Sequence, residues 1–185
     1  MGDSLSAEYG LKRGAGWVAL LEQQLKKDGS RYFIFNASIS GETTAGGVAR
    51  LPALLEYKKP KIVIIELGAN DALRGLPLRS TEQNLLNMIQ ISKAAGAKVL
   101  LLGIQIPPNY GQEYTQNFKG IYARLAQNEQ IALLPFFLDG VAQKPELFQA
   151  DQIHPNAEAQ PILFKNVWRA LTPFHQMLKS KTPNL

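Results

Sequence analysis

The chain holds two histidines, and one of them lies close behind an acid, in Asp151-Gln152-Ile153-His154-Pro155. A hydrolase that works through a serine hydroxyl needs an imidazole to take the hydroxyl proton. It also needs a carboxylate to hold the imidazole tautomer and stabilise its cation. An aspartate three residues ahead of a histidine can fold back onto the ring within one turn. The same spacing equally describes a helix N-cap aspartate beside a surface histidine. His175, in a helical stretch after Pro173 with no acid nearby, reads as a plain surface residue.

A hydroxyl for that base is available in Gly2-Asp3-Ser4-Leu5-Ser6. Small and turn-forming neighbours can hold Ser4 on a tight loop with its hydroxyl exposed, although a helix N-cap would have the same composition. Asn70, in Gly68-Ala69-Asn70-Asp71, can aim a side-chain amide at a developing oxyanion, or it can simply shape the loop as an Asx turn. Gly41, in Asn36-Ala37-Ser38-Ile39-Ser40-Gly41-Glu42-Thr43, can bring a backbone N–H close to the same oxyanion, because glycine permits an approach that a side chain would block. Each motif alone is ambiguous; their joint placement is less so.

These groups need elements to position them. Trp17, Leu20, Leu21 and Leu25 recur at helical spacing, and Gly29 closes that helix. Residues 31–35 read as a strand, and a helix follows from about Thr44 to Tyr57, ahead of Pro60. Residues 61–67, β-branched and apolar on both faces, read as a central parallel strand. Ser80 with Gln83 has the form of a capping box opening a helix that stops at Gly96. A strand over 98–104, a Pro107–Gly111 loop, a helix over 113–127 and a short strand at 131–134 follow. A long loop over 135–153 then leads to a last helix starting near Pro155. Strands alternating with helices predict a doubly wound α/β sheet covered on both faces. Its functional groups should gather beyond the carboxyl ends of the strands, where these motifs fall.

Composition narrows the possibilities. The 185 residues suit one domain over 1–185, and 45% hydrophobic with 19% charged residues is an ordinary globular balance. No apolar run approaches the ~18 residues that span a bilayer. Without cysteine there is no disulfide, no thiolate metal site and no cysteine nucleophile, and the redox compartment is left open. The net charge of +5 comes with small lysine groups at Lys26-Lys27, Lys58-Lys59-Lys61 and Lys179-Lys181, each beside a predicted helix end. The helix dipole favours cations there. Weak attraction to an anionic membrane surface is the alternative. No stripe of interleaved aromatics points to nucleic acid.

The four blocks at 2–6, 36–43, 66–71 and 151–155, taken in order, resemble the SGNH (GDSL) hydrolase family. The middle of the chain, with Leu73-Arg74-Gly75, Pro108-Asn109-Tyr110-Gly111 and Leu134-Pro135-Phe136-Phe137, is most similar to its bacterial acyl-CoA thioesterase, arylesterase and lysophospholipase group. The resemblance implies a flavodoxin-like three-layer α/β/α sandwich with about five parallel strands. It implies Ser4 as nucleophile, His154 as base and Asp151 as its orienting acid. The oxyanion hole it implies is formed by the Ser4 and Gly41 N–H groups with the Asn70 side chain. Leu73, Ile106 and Tyr110 would border an acyl-binding groove. Neither a metal nor an organic cofactor is implied. Substrates would be small acyl esters or thioesters such as lysophospholipids, acyl-CoA and aryl esters. A carbohydrate O-deacetylase of the same fold and a non-catalytic binding module are the rivals.

One departure stands out. The family carries an apolar central strand immediately before Gly-Asp-Ser, where this sequence has only Met1. The strands at 31–35 and 61–67 would then face each other across an empty position, about 9.6 Å apart, unless they pair directly or a segment fills the gap. No secretory signal is present in this sequence, and a periplasmic or secreted location is implied by the resemblance alone.

Overall fold

The structure, a computed structural model, describes residues 1–178, so the Lys179-Lys181 group lies outside the described residues. Three parallel strands form its sheet in the order β1 (Ile62–Ile65), β2 (Lys98–Leu102), β3 (Ala132–Leu134). The register runs from Ile62 opposite Lys98 to Ile65 opposite Leu101, and from Leu100 opposite Ala132 to Leu102 opposite Leu134. Successive strand residues point to opposite faces, and both faces are apolar. Val63, Ile65, Val99 and Leu101 enter one core, packed with α2 (Thr44–Lys58), α4 (Leu78–Ala94) and α5 (Gln112–Glu129). Leu100, Leu102 and Leu134 enter the other, packed with α1 (Trp17–Lys27), α6 (Gln160–Ala170) and α7 (His175–Leu178). A five-residue helix, α3 (Ala69–Leu73), follows β1 directly. The molecule is the expected α/β/α sandwich. Truncating a fully buried side chain such as Leu101 to alanine would cost about 2–5 kcal/mol.

Several boundaries differ from the sequence reading. α4 begins at Leu78 with Pro77 as N-cap, and the Pro77 carbonyl accepts from the Ser80 and Thr81 N–H groups. Ser80 is therefore already inside the first turn, the expected capping box does not form, and Gln83 donates to Asn87 instead. The helix expected from near Pro155 is α6 and starts at Gln160, because the Asn156 side chain accepts from the Glu158 and Ala159 N–H groups in the turn ahead of it, and the short α7 follows it. His175 is not a plain surface residue. It is partly buried, its ring lies 4.7 Å from that of Trp168, and Nε2 donates to the Trp168 carbonyl at 3.3 Å.

The largest correction concerns the sheet. Three strands are paired among the described residues, not five, and residues 31–35 are extended but hydrogen-bonded to no strand. They keep strand-like alternation, with Tyr32 and Ile34 turned inward and Phe33 77% exposed. A strand without a neighbour has no ladder to satisfy its backbone, and residues 31–35 have no such partner among the described residues. Between residues 31–38 and β1 lies a cavity of about 330 Å³, floored by α1 residues such as Leu21 and roofed by α2 residues such as Leu51. The two edges have not closed onto each other.

Only the carboxyl end of this slot is filled. The Met1 ammonium donates to the Ile64 carbonyl at 3.0 Å, the Glu66 N–H donates to the Met1 carbonyl at 2.9 Å, and Gly2 and Glu66 form a parallel bridge. These contacts set the direction and register that any further strand in the slot would follow. A variant with about six apolar residues added ahead of Met1 should therefore melt several degrees higher, since a gain of ~1 kcal/mol shifts Tm by about 2–8 °C. Equal melting temperatures in calorimetry would show that the slot does not accept a strand.

Candidate active site

The functional loops are built outward from the end of β1. After Gly2 the chain turns sharply: the Asp3 carbonyl accepts from the Ser6 and Ala7 N–H groups, and Asp3 Oδ1 accepts from the Leu5 N–H at 2.9 Å. Gly2 is required by close approach, since a Cβ there would sit 2.7 Å from Glu66 Oε2 and 2.9 Å from Ser38 Oγ. Trp17 Nε1 donates to the Leu5 carbonyl at 3.2 Å, fastening the turn to α1. The result is a short, well-held loop with Ser4 partly exposed at its crest.

The last motif approaches from 150 positions away in sequence. Ser4 Oγ lies 2.9 Å from His154 Nε2, and His154 Nδ1 lies 2.7 Å from Asp151 Oδ2. With Nδ1–H donating to the carboxylate, Nε2 is left as an acceptor for the serine proton, a tautomer assigned from the network. Asp151 Oδ1 accepts from the Ile153 and His154 backbone N–H groups at 2.9 and 3.0 Å. Those backbone donors, more than the imidazole, hold the Asp151 carboxyl down to about 2, so it is ionised at any working pH. Gln152, with φ of +56°, makes the tight return that lets the acid meet the ring. Gln149 Nε2 donates to the Tyr9 carbonyl at 2.9 Å, and the Tyr9 ring lies 4.3 Å from the His154 ring.

The other two blocks also close on this loop. The Ile39 N–H donates to the Gly2 carbonyl at 3.0 Å and Asn36 Nδ2 donates to the Ser6 carbonyl at 2.8 Å, which brings the 36–43 segment alongside. Gly41 adopts φ of +79°, in the left-handed region that suits glycine, with its carbonyl accepting from Arg74 Nη2. Among the described residues neither the Ser4 nor the Gly41 backbone N–H has a protein acceptor. Asn70, in the first turn of α3, behaves differently. Its Nδ2 donates to Asp3 Oδ2 at 3.1 Å and to the Glu42 carbonyl at 3.0 Å, so both amide protons are already engaged. Donation to an oxyanion would compete with one of these. Asp71, buried beside it, accepts from the Thr44 backbone N–H and hydroxyl and so secures the start of α2.

The expected acyl-groove residues are placed unevenly. Leu73 is partly buried against the main core, and Tyr110 is 43% exposed at the end of a single 3-10 turn. Ile106 is 9% exposed and packs inside the core, so in this conformation it offers little surface to a substrate. Tyr114 bridges the two loops, donating to the Ala72 and Leu76 carbonyls at 3.3 Å each. The 330 Å³ cavity belongs to the sheet layer and does not enclose the Ser4–His154 pair. No group of acidic, histidine or cysteine side chains among the described residues could hold a metal ion.

The sequence reading passed over Tyr9, Asp3 and Glu66. Asp3 was visible as part of the serine motif, and Glu66 as the one charged residue closing an apolar strand.

Comparison with known proteins agrees with this geometry. Residues 1–161 match the family model described as GDSL-like Lipase/Acylhydrolase family. Esterase TesA of Pseudomonas aeruginosa is 54% identical over 173 residues, which cover 94% of this chain and 86% of that protein. Thioesterase 1/protease 1/lysophospholipase L1 of Escherichia coli K12 is 46% identical, covering 94% of this chain and 82% of that protein. Among solved structures, the esterase EstA from Pseudoalteromonas sp., inhibited by monoethylphosphonate, superposes with a TM-score of 0.90 at 41% identity, covering 95% of this chain and 96% of that one.

The hydrogen-bond pattern around Asp151 makes a prediction of its own. Because backbone donors dominate, His154→Ala should leave the Asp151 carboxyl titrating below an ordinary aspartate, with only part of its lowering lost. Carboxyl carbon NMR across an acid titration measures this. A return to about 3.9, the ordinary aspartate value, would mean that the imidazole alone holds the charge.

Proposed function

The chain belongs to the GDSL-like lipase/acylhydrolase family and is a carboxylic ester hydrolase, and we propose that Ser4, His154 and Asp151 carry its chemistry. The observation that supports this assignment is the unbroken relay from Ser4 Oγ through both imidazole nitrogens to Asp151, at 2.9 and 2.7 Å.

The reaction proceeds by acyl transfer to the enzyme and then to water. Ser4 Oγ attacks the acyl carbonyl while His154 Nε2 accepts the hydroxyl proton, and Asp151 stabilises the imidazolium that forms. The tetrahedral oxyanion is held by the Ser4 and Gly41 N–H groups, which have no other acceptor among the described residues. Asn70 Nδ2 joins them by sharing a proton now given to Asp3 or Glu42. As the carbonyl re-forms, the alcohol or thiol leaves with the proton from His154. Water, deprotonated by the same imidazole, then releases the acid and regenerates Ser4.

We read the substrates as small acyl esters and thioesters with medium to long chains, among them lysophospholipids, acyl-CoA and aryl esters. The names of the relatives from P. aeruginosa and E. coli support the ester, thioester and lysophospholipid part of this range. Leu73, Leu76 and Tyr110 would line the path of the chain, with Ile106 behind them. A periplasmic or secreted location fits the family group, and cell fractionation with activity staining tests it. No helix among the described residues is long and apolar enough to cross a membrane. Weak contact with anionic lipid would run through the exposed patch where Lys58 lies over the rings of Phe35 and Tyr57 at 4.1 and 4.3 Å. Salt-sensitive binding to anionic vesicles, lost in Lys58→Glu, would support it.

The assignment is tested on a panel of chromogenic esters and thioesters of graded chain length. Ser4→Ala and His154→Ala should each lower kcat by about four to six orders of magnitude, and Asp151→Ala by about four. His175→Ala should stay within a few-fold. A fluorophosphonate probe should label the parent and not Ser4→Ala. Asn70→Ala should lower kcat by about 10²–10³ with a much smaller change in KM. An active Ser4→Ala enzyme would refute the nucleophile assignment, and preference for acetyl over longer chains would favour a deacetylase.

A further inference from the structure

Directly beneath the Ser4 loop lies a carboxyl that the mechanism above does not use. Glu66 is 1% exposed, and its Oε2 accepts from Ser6 Oγ at 2.7 Å and from the Asp3 N–H at 3.3 Å. Its Oε1 is buried without a hydrogen-bond partner among the described residues. An ionised carboxylate only accepts, so this oxygen would stay stranded as long as Glu66 carried its charge. A proton shared with Asp3 eases the difficulty, because the Asp3 carboxylate is within hydrogen-bonding reach of the Glu66 carboxyl. Asp3 in turn accepts from Asn70 through Oδ2 and from the Leu5 N–H through Oδ1.

We propose that Glu66 is a positioning residue held as the neutral acid, sharing one proton with Asp3 and thereby fixing both the Ser4 loop and the Asn70 amide. It acts on the loop through Ser6 and the Asp3 N–H, and on the amide through Asp3 Oδ2. The electrostatic surroundings agree. Burial, then the neighbouring Asp3 charge, pushes Glu66 well above an ordinary glutamate, and burial also raises Asp3. Asp71 and the buried Tyr122 face the pair from α3 and α5, while the His154 imidazole and the Met1 amine, with the Arg50 guanidinium behind it, face it from the other sides. None of these basic groups hydrogen-bonds the Glu66 carboxyl. Two carboxyls this close titrate as a pair, and burial together with the first charge holds the second proton on to higher pH than an isolated carboxyl would keep it. Once that proton leaves, like charges repel across the turn that holds Ser4.

This inference rests on the roles given above to Ser4 and Asn70. It is tested by the pH dependence of kcat and KM for the parent, Glu66→Gln, Glu66→Ala and Ser4→Ala on an aryl ester. Glu66→Ala should lower kcat by about 10-fold to 10²-fold with KM nearly unchanged, as expected when transition-state donors lose their alignment. Glu66→Gln should rescue most of that loss, because its amide donates to Asp3 and accepts from Ser6 and the Asp3 N–H. The parent kcat should fall about tenfold per pH unit above the pair's upper titration, and Glu66→Gln should lack that limb. Isotope-edited infrared spectra should show a protonated carboxylic acid in the parent at neutral pH that Glu66→Gln removes. If Glu66→Ala fails to fold, the infrared band and the Glu66→Gln profile still decide. A Glu66→Gln enzyme that keeps the parental alkaline limb, or a parent without the protonated-acid band, would overturn the proposal. Activity in Ser4→Ala would instead overturn the reading on which it rests, and the two failures are distinct.

Discussion

Every functional segment of this protein is fastened, directly or at one remove, to the few residues that join Met1–Ser6 to the end of β1. Two parallel ladder bonds link Met1 to Ile64 and Glu66, and the Glu66 carboxyl receives Ser6 from below. From that turn, bonds run out to Asn36, Ile39, Asn70 and Trp17, while Gln149 reaches the Tyr9 carbonyl just beyond it. Catalysis by approximation depends on such anchoring, since a displacement of about 1 Å can cost a factor of 10² in rate. The turn is held from the sheet side, from α1 and from the loop after β3, so no single contact carries it.

Three carboxyl groups near one serine are driven to different protonation states by their surroundings. Asp151, open to solvent, collects two backbone N–H groups and the imidazole, and is held down to about 2. Asp3 and Glu66, a few residues away in space, are buried together and both are raised. Desolvation penalises the charged form, whereas donated hydrogen bonds favour it. The sign of each shift therefore follows from whether water or backbone donors surround the carboxyl. One acid serves as a permanent charge behind the base, and a pair beneath the nucleophile is most comfortable with a single negative charge.

The sheet shows how strongly strand formation depends on a neighbour. Residues 31–35 alternate inward and outward as a strand should, yet they pair with nothing, because the position between them and β1 is a cavity of about 330 Å³. Residues of α1 and α2 line this cavity from its two sides. Residues 1 and 2 pair with Ile64 and Glu66 at the carboxyl end of this position, the end on which the site is built.

Much of this was legible in one dimension. Alternating periodicities announced an α/β sandwich, and the apolar runs at 62–65 and 98–102 are the strands they resemble, since burial on both faces demands that composition. The types and order of Ser4, Gly41, Asn70, Asp151 and His154 were likewise visible, because a reaction restricts which residues can perform it. Local signals failed where a tertiary neighbour outweighed them. Pro77 opened α4 two residues ahead of Ser80, Trp168 drew His175 out of solvent, and a missing partner left 31–35 unpaired. The stacking of Tyr9 on His154, the engagement of both Asn70 protons, and the burial of Glu66 against Asp3 join residues up to 145 positions apart. Sequence determined which chemical groups were available. Only the folded chain decided which of them lost water and met one another, because desolvation and hydrogen bonding are properties of distance in space.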